Sequence, residues 1–343
     1  MTSINALRFD GDSGVLVCDE QRHWNPERMK IFAVDKIRPV VPEDLSARYG
    51  LAACYGNTGT STIGEELRAT IRRRVAGRYE SEVERQGDPP ETFLSMEEMA
   101  RLVFEVQAAL KRTHVDEQMR GRYGFSTADL CRGWYLRGEE KVEIGSPDIG
   151  EGAELLATWK DRKGDARPVF GNSGILGGYA PEDGFRLFRF SMAEGYWTPV
   201  EAAFIALGSG LDAANMVFAA YASTQVPEGS GRIDPVEGCM VALSAVNAAA
   251  RNNLGVGGYF NITLIDGRAR RPARLLREIN DHRSRLCSEV VRAQEADLVS
   301  RKAAESLIEG ILFKEETFEE GLERFHGTAR SPRRLRAFLR GWG

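Results

Sequence analysis

Residues 2–19 read Thr2-Ser3-Ile4-Asn5-Ala6-Leu7-Arg8-Phe9, then Asp10-Gly11-Asp12-Ser13-Gly14, then Val15-Leu16-Val17-Cys18-Asp19. From Ser3 to Phe9 apolar and polar residues alternate, the period of a strand with two different faces. Val15 to Cys18 is a short apolar run. The Asp/Gly/Ser-rich segment between them supplies turn chemistry, so the stretch predicts a β-hairpin. A second pair of strands is expected from Ile31 to Val40 and from Tyr49 to Tyr55. Gly56-Asn57-Thr58-Gly59 breaks that pattern. From Ser61 a helix is expected, because Ile63, Leu67, Ile71 and Val75 recur every fourth residue.

Downstream, Pro89-Pro90 marks a loop and Ser95-Met96-Glu97-Glu98 a capping box. Met99, Leu102, Val103, Val106 and Leu110 then share one helical face. Phe125 to Leu136 reads as a strand, and Phe185 to Met192 and Thr198 to Leu207 as two more. The Gly-, Pro- and charge-rich stretch between, about 138–184, reads as a partly irregular insertion. Gly208-Ser209-Gly210 turns into a helix carrying Met216, Val217, Phe218 and Tyr221. Asp234-Pro235 opens another, with Asp as cap and Pro in the first turn. It ends near Ala250, and a strand follows from Tyr259 to Ile265. Blocks of strands alternating with pairs of helices favour a layered α+β fold. From Arg268 onward 17 Lys and Arg face 12 Asp and Glu; the whole chain carries −4, so the rest carries −9. That tail, with Leu275, Leu276 and Ile279 and then Leu307, Ile308, Ile311 and Leu312, reads as mostly helical. The domain reading is 2–267 for the main body and 268–343 for a helical C-terminal extension.

Composition excludes several classes. With 343 residues, 42% of them apolar and 28% charged, the chain is neither disordered nor fibrous. A net charge of −4 gives no global drive toward nucleic acid or an anionic membrane. No apolar run is long enough to span a bilayer. The start lacks the basic and apolar regions of an export signal, and Cys18, Cys54, Cys131, Cys239 and Cys287 contain no C-x-x-C, so reduced thiols in the cytoplasm are expected. His23, His114, His282 and His326 form no i, i+4 pair and no zinc spacing, so neither a metal nor a cofactor is called for. The Gly56–Ser61 turn lacks the Lys of a P-loop, and Gly255-Val256-Gly257-Gly258 opens a strand rather than a helix, unlike a dinucleotide fingerprint.

Taken together, the opening hairpin, Asp19 at the end of its second strand, Lys36 in Val34-Asp35-Lys36-Ile37 and Gly56 after Ala52-Ala53-Cys54-Tyr55 resemble the opening of proteasome β subunits and of the related bacterial ATP-dependent protease. These are N-terminal nucleophile hydrolases. Lys30 is a second, poorer match for the Lys. Further on, Phe204-Ile205-Ala206-Leu207-Gly208-Ser209-Gly210 is similar to the family's Gly-Ser-Gly turn, and Arg251 to Ile265 to its closing helix end, Gly pair and strand. The resemblance covers about residues 2–136 and 185–266. Two positions depart from the family pattern. Its Asp after the Arg becomes Asn252 or Asn253, and its Ser before the Gly pair becomes Val256 or Gly255. In addition only Met1 precedes Thr2, where proteasome β subunits usually carry a propeptide.

The resemblance implies a four-layer αββα sandwich and a nucleophile at Thr2, exposed once Met1 is removed. An N-terminal Thr brings its own base, an α-amine of pKa near 8. Asp19 and Lys36 would form a pair beside it, the Gly56 N–H would face the oxyanion, and Ser209 and Asn253 would complete the site. Each also has a plain structural reading: Asp19 ends a strand, Lys36 is a solvated strand residue, Ser209 caps a helix, Gly56 serves the backbone, and Asn252 and Asn253 end a helix. The family's specificity pocket maps to Arg22, Val34, Arg38, Cys54 and Thr58, with small Cys54 leaving the floor open and the arginines favouring an acidic or polar group. The implied function is a threonine-type peptidase or amidase, against two alternatives: acyl or peptidyl transfer, and a catalytically silent assembly subunit. The expected partners are a peptide or amide substrate and further copies of the chain, with an ATPase or unfoldase left open.

Overall fold

The first hairpin forms as its alternation requires. Strands β1 (Ser3–Arg8) and β2 (Ser13–Asp19) pair antiparallel, with Ile4 opposite Cys18 and Arg8 opposite Gly14. The computed structural model describes residues 2–24, 29–31, 35–158, 171–225, 231–258 and 260–339. Next come the short hairpin β3 (Arg22–Trp24) and β4 (Met29–Ile31), then β5 (Ile37–Pro39) and β6 (Ala52–Thr58). A short helix, α1 (Glu43–Tyr49), joins these last two. It ends on Gly50 in the left-handed region, φ 61°, where glycine costs least.

Helices α2 (Ser61–Gln86) and α3 (Met96–Tyr123) follow, and α3 starts on the expected capping box, with Ser95 and Glu98 each closing on the other's backbone. The span 125–136 is not one strand. Ser126 and Asp129 form a second capping box, so the chain first makes α4 (Thr127–Arg132) and only then β7 (Trp134–Arg137), which pairs with β8 (Glu140–Glu143). A local pair of polar caps outweighs the strand propensity of the flanking aromatics.

After α5 (Ser146–Thr158) comes the main departure from the sequence reading. Residues 173–180 form β9 (Ser173–Ala180), paired on one side with β6 and on the other with β10 (Gly184–Ser191). The end of the expected insertion is therefore a central strand. Its glycines hid it, and packing explains them. A Cβ at Gly174 would run into the Tyr55 hydroxyl, and one at Gly178 would come within 2.7 Å of Met96 Cε. β11 (Tyr196–Pro199) and β12 (Phe204–Gly208) replace the single run expected from Thr198.

Helices α6 (Leu211–Gln225) and α7 (Pro235–Asn252) then lead to β13 (Phe260–Asp266). Asp234 caps α7 as expected, accepting from the N–H groups of Val236 and Glu237 at 3.0 Å. A single turn, α8 (Pro272–Leu275), precedes β14 (Leu276–Ile279) where helix was expected. The segment pairs with β13 instead, and Ile279 is buried. The chain ends in α9 (His282–Glu295), α10 (Arg301–Phe313), α11 (Phe318–Thr328) and α12 (Pro332–Phe338).

The strands form two five-stranded antiparallel sheets, ordered β12-β1-β2-β13-β14 and β11-β10-β9-β6-β5. Alternation along β1, β2 and β6 sorts their side chains. Ile4, Ala6, Leu16 and Cys18 meet Ile37, Ala52, Cys54 and Leu187 in one apolar cluster. Leu7, Val15 and Val17 turn the other way and pack with residues of α7, α9 and α10. Ala53 and Tyr55 pack with the apolar faces of α2 and α3. Leu286, Leu307, Ile311 and Phe325 of the C-terminal helices belong to the same cluster as α7, so they extend an existing core.

Two predictions follow from packing and charge. Gly174→Ala should lower stability by roughly 1–3 kcal/mol through overpacking. Gly77→Ala, in α2 with nothing within 4 Å of its added Cβ, should raise it by roughly 0.5–1 kcal/mol; denaturant midpoints measure both. The second concerns Asp10. Burial opposes its ionisation, but the hydrogen bond from Arg268 at 2.5 Å, those from the Asp12 N–H and the Ser13 hydroxyl at 2.9 Å, and the Arg268 charge together hold its carboxyl at about 2. A depressed carboxyl contributes stability above its unfolded pKa and loses it as pH falls through the folded value. The stability advantage of the wild type over Arg268→Ala, measured by denaturation across pH, should hold above the ordinary value of 3.8 and shrink toward about 2.

Candidate active site

Asp19 closes β2 with no solvent exposure. Because Ile4 lies opposite Cys18, the next step along the hairpin sets Asp19 beside residue 3. The Ser3 N–H donates to Asp19 Oδ1 at 2.8 Å. Lys36, just before β5, reaches the same oxygen with Nζ at 2.6 Å and also donates to the Gln21 carbonyl at 2.7 Å. The second oxygen, Oδ2, accepts the Gly257 N–H at 3.2 Å. A buried carboxylate is tolerable only when paired and hydrogen-bonded, and this one has an ammonium and two backbone amides. Lys36 rather than Lys30 supplies the ammonium. The adjacent Cys18 thiol is pushed up to about 12, by burial first, with the Lys36 charge opposing it.

Residue 2 is held from the other side. The Thr2 backbone N donates to Ser209 Oγ at 3.2 Å, and the Ser209 hydroxyl and the Gly210 N–H both lie 3.4 Å from the Thr2 carbonyl oxygen. This follows from strand order, since Ser3 pairs with Gly208 across β1 and β12. Gly208 has φ 98°, and a Cβ there would strike the Thr2 carbonyl, so only glycine fits. Asn253 ties the turn down. Its Nδ2 donates to the Ser209 carbonyl at 2.9 Å and its Oδ1 accepts the Gly255 N–H at 2.9 Å. Asn252 instead donates to Ala248 within its own helix.

Gln21 and Arg68 of this arrangement lie in no motif of the sequence, and Gly257 appears there only within a Gly pair. Gln21 donates twice to the 253–258 loop: its N to the Gly257 carbonyl at 2.9 Å and its Nε2 to the Leu254 carbonyl at 3.0 Å. Gly257 supplies a donor from its backbone, which side-chain chemistry does not advertise. Arg68 of α2 donates to Asn57 Oδ1 at 2.6 Å, and burial lowers its pKa. Asn57 lies so close over Gly64 that a Cβ there would collide with its amide. A glycine inside an otherwise well-formed helix, four residues before an arginine, was the readable signal.

Gly56 lies within β6, opposite Ile37 and Ile175, and a Cβ would come within 2.9 Å of Ile37 and 3.4 Å of Ile4. The pocket residues are not gathered as expected. Cys54 is opposite Pro39 and Arg38 opposite Tyr55, so they occupy opposite faces of one sheet. Cys54 is sealed in the cluster between the sheets, which excludes it as an open floor, and Arg38 is ion-paired with Asp35. Thr58 is half-buried at the end of β6, opposite Ser173. Val34 and the Arg22 side chain lie outside the described residues.

No protein-family model and no curated protein matches this sequence. A solved structure of the Anbu (Gly-1) mutant from Hyphomicrobium sp. strain MC1 does match in three dimensions, with a TM-score of 0.51 over 87% of this chain and 97% of that one. The fold is proteasome-like. Sequence identity is 13%, so the likeness concerns architecture alone. No helix among the described residues is long and apolar enough to cross a membrane.

The Asp19–Lys36 pair gives a direct test. Breaking a buried pair from one side costs roughly 3–5 kcal/mol, so Lys36→Ala should lose about that much in denaturant titration. Arg38→Ala, whose pair with Asp35 is half-exposed, should lose about 1 kcal/mol or less.

Proposed function

We propose that this protein is an N-terminal threonine hydrolase that cleaves peptide or amide bonds through an acyl-enzyme. One observation carries the reading: the backbone nitrogen of residue 2 sits on Ser209 Oγ, next to Ser3, whose own N–H rests on the Asp19–Lys36 pair. Once Met1 is cleaved off, that nitrogen is an α-amine. It takes the proton from Thr2 Oγ as the oxygen attacks the substrate carbonyl carbon. Ser209 orients the amine, and the Lys36 ammonium favours the deprotonated neighbours, while Asp19 fixes Lys36. The Gly56 N–H is assigned to the oxyanion, a role worth roughly 10²–10³-fold in rate. The tetrahedral species collapses by expelling the protonated amine and leaves an ester on Thr2. Water, activated by the same amine, then releases the acid.

The same reading takes the two sheets and their flanking helices as a four-layer αββα sandwich spanning residues 2–267. It takes 268–343 as an appended helical extension, the working form as a homo-oligomer, and the compartment as the cytoplasm. Arg22, Val34 and Thr58 remain assigned to substrate, and Asn253 to holding Ser209 in place.

The test is intact mass spectrometry with and without a Thr-directed electrophile such as a β-lactone. The expected result is loss of Met1 and a single adduct on Thr2. Thr2→Ala should give no adduct and no turnover while keeping its fold, and Thr2→Ser should keep partial activity. Retention of Met1, which blocks the amine, would instead mark a silent assembly subunit.

A further inference from the structure

A cavity of about 530 Å³ opens between α3, α4 and the end of β10, on the helix-covered side of the second sheet. Thr2 belongs to the first sheet, so this cavity lies apart from the candidate active site. Its walls are largely apolar, with Phe104, Ala108 and Val115 from α3 and Met192 from beyond β10. Among them stands one buried amide. Gln107 is 2% exposed; its Nε2 donates to the Tyr55 hydroxyl at 2.6 Å, and its Oε1 has no partner among the described residues. A buried acceptor without a donor is costly, and most such groups find a partner. Two cations also line it: Lys111, which donates to the Ala193 carbonyl at 2.9 Å, and the exposed Arg112.

We propose that this cavity binds a neutral, largely apolar alcohol or phenol, whose hydroxyl pairs with Gln107 while its body fills the apolar walls. A hydroxyl both donates and accepts, so it suits Gln107 in either orientation of the amide. The cavity carries its own reporter. Cys131 lines it and is exposed, whereas Cys18, Cys54, Cys239 and Cys287 are buried. Burial raises the thiol pKa of all four, which leaves Cys131 as the reactive thiol.

The experiment uses the full chain and two probes of nearly equal shape, 2-naphthol and 2-methoxynaphthalene, the second lacking the donor. Calorimetry gives the affinities, and intact mass follows alkylation of Cys131 by N-ethylmaleimide. The expected result is binding of 2-naphthol about tenfold or more tighter than its ether, equivalent to about 1.4 kcal/mol, with slower alkylation at saturation. Gln107→Leu should keep apolar binding and lose that preference. Ala128→Trp, at an exposed position on the rim, should lose both binding and protection, and it keeps the test decisive if the Gln107 variant fails to fold. Equal affinity for the two probes, no binding of either up to their solubility limits, alkylation indifferent to saturating 2-naphthol, or undiminished affinity in Ala128→Trp would each overturn the proposal.

Discussion

Asp19 has no contact with water, and the order of the site follows from that. A carboxylate removed from solvent must collect donors, and each donor it collects fixes a different segment. The Ser3 N–H fixes the start of β1, the Lys36 ammonium fixes the approach to β5, and the Gly257 N–H fixes the loop before β13. Lys36 in turn spends a second proton on the Gln21 carbonyl, and Gln21 pairs with the same loop. The registers of β1, β2 and β13 agree with these contacts, since Asp19 lies opposite Phe260 in the ladder. One buried charge thus holds together an edge of the molecule where three otherwise separate pieces of chain meet.

Where side-chain periodicity carried the information, the sequence was readable. The β1–β2 hairpin, the four-residue spacing of Ile63, Leu67, Ile71 and Val75, and the caps at Ser95 and Asp234 all lie in local patterns that packing then used. What was illegible had three separate causes. β9 is read as filler because Gly174, Gly177 and Gly178 lack the side chains that mark a strand, yet those absences make room for Tyr55, Leu16 and Met96. β14 reads as helix because its pairing with β13 is a non-local fact. α4 reads as strand because its aromatic neighbours outweigh the Ser126–Asp129 cap in the sequence, though not in the fold.

The candidate site divides along the same line. Hydrogen bonds of ordinary length join Thr2 to Ser209 and Asn253 on one side and, through the Ser3 N–H, to Asp19 and Lys36 on the other, and each of these residues stands in a recognisable local setting. Gly257 acts through its backbone, which its Gly pair does not reveal, and Arg68 acts through Asn57 with no motif of its own. The substrate-pocket reading fared worst, because the face to which a strand residue points is set by register. The pairings of Arg38 with Tyr55 and of Cys54 with Pro39 put them on opposite faces.

The span of these contacts along the chain has a consequence for biosynthesis. Gly257 is 238 residues from Asp19, and Ser209 is 207 residues from Thr2. At a translation rate of about 5–20 residues per second, the N-terminal strands leave the ribosome many seconds before either partner exists. Until then Asp19 and Lys36 have only each other and their near neighbours, and the nitrogen of residue 2 has no Ser209 to rest on. The constellation therefore closes only once Gly257 has been made, after most of both sheets but before the C-terminal helices. A nascent or truncated chain carries the same first residues without the contacts that position them.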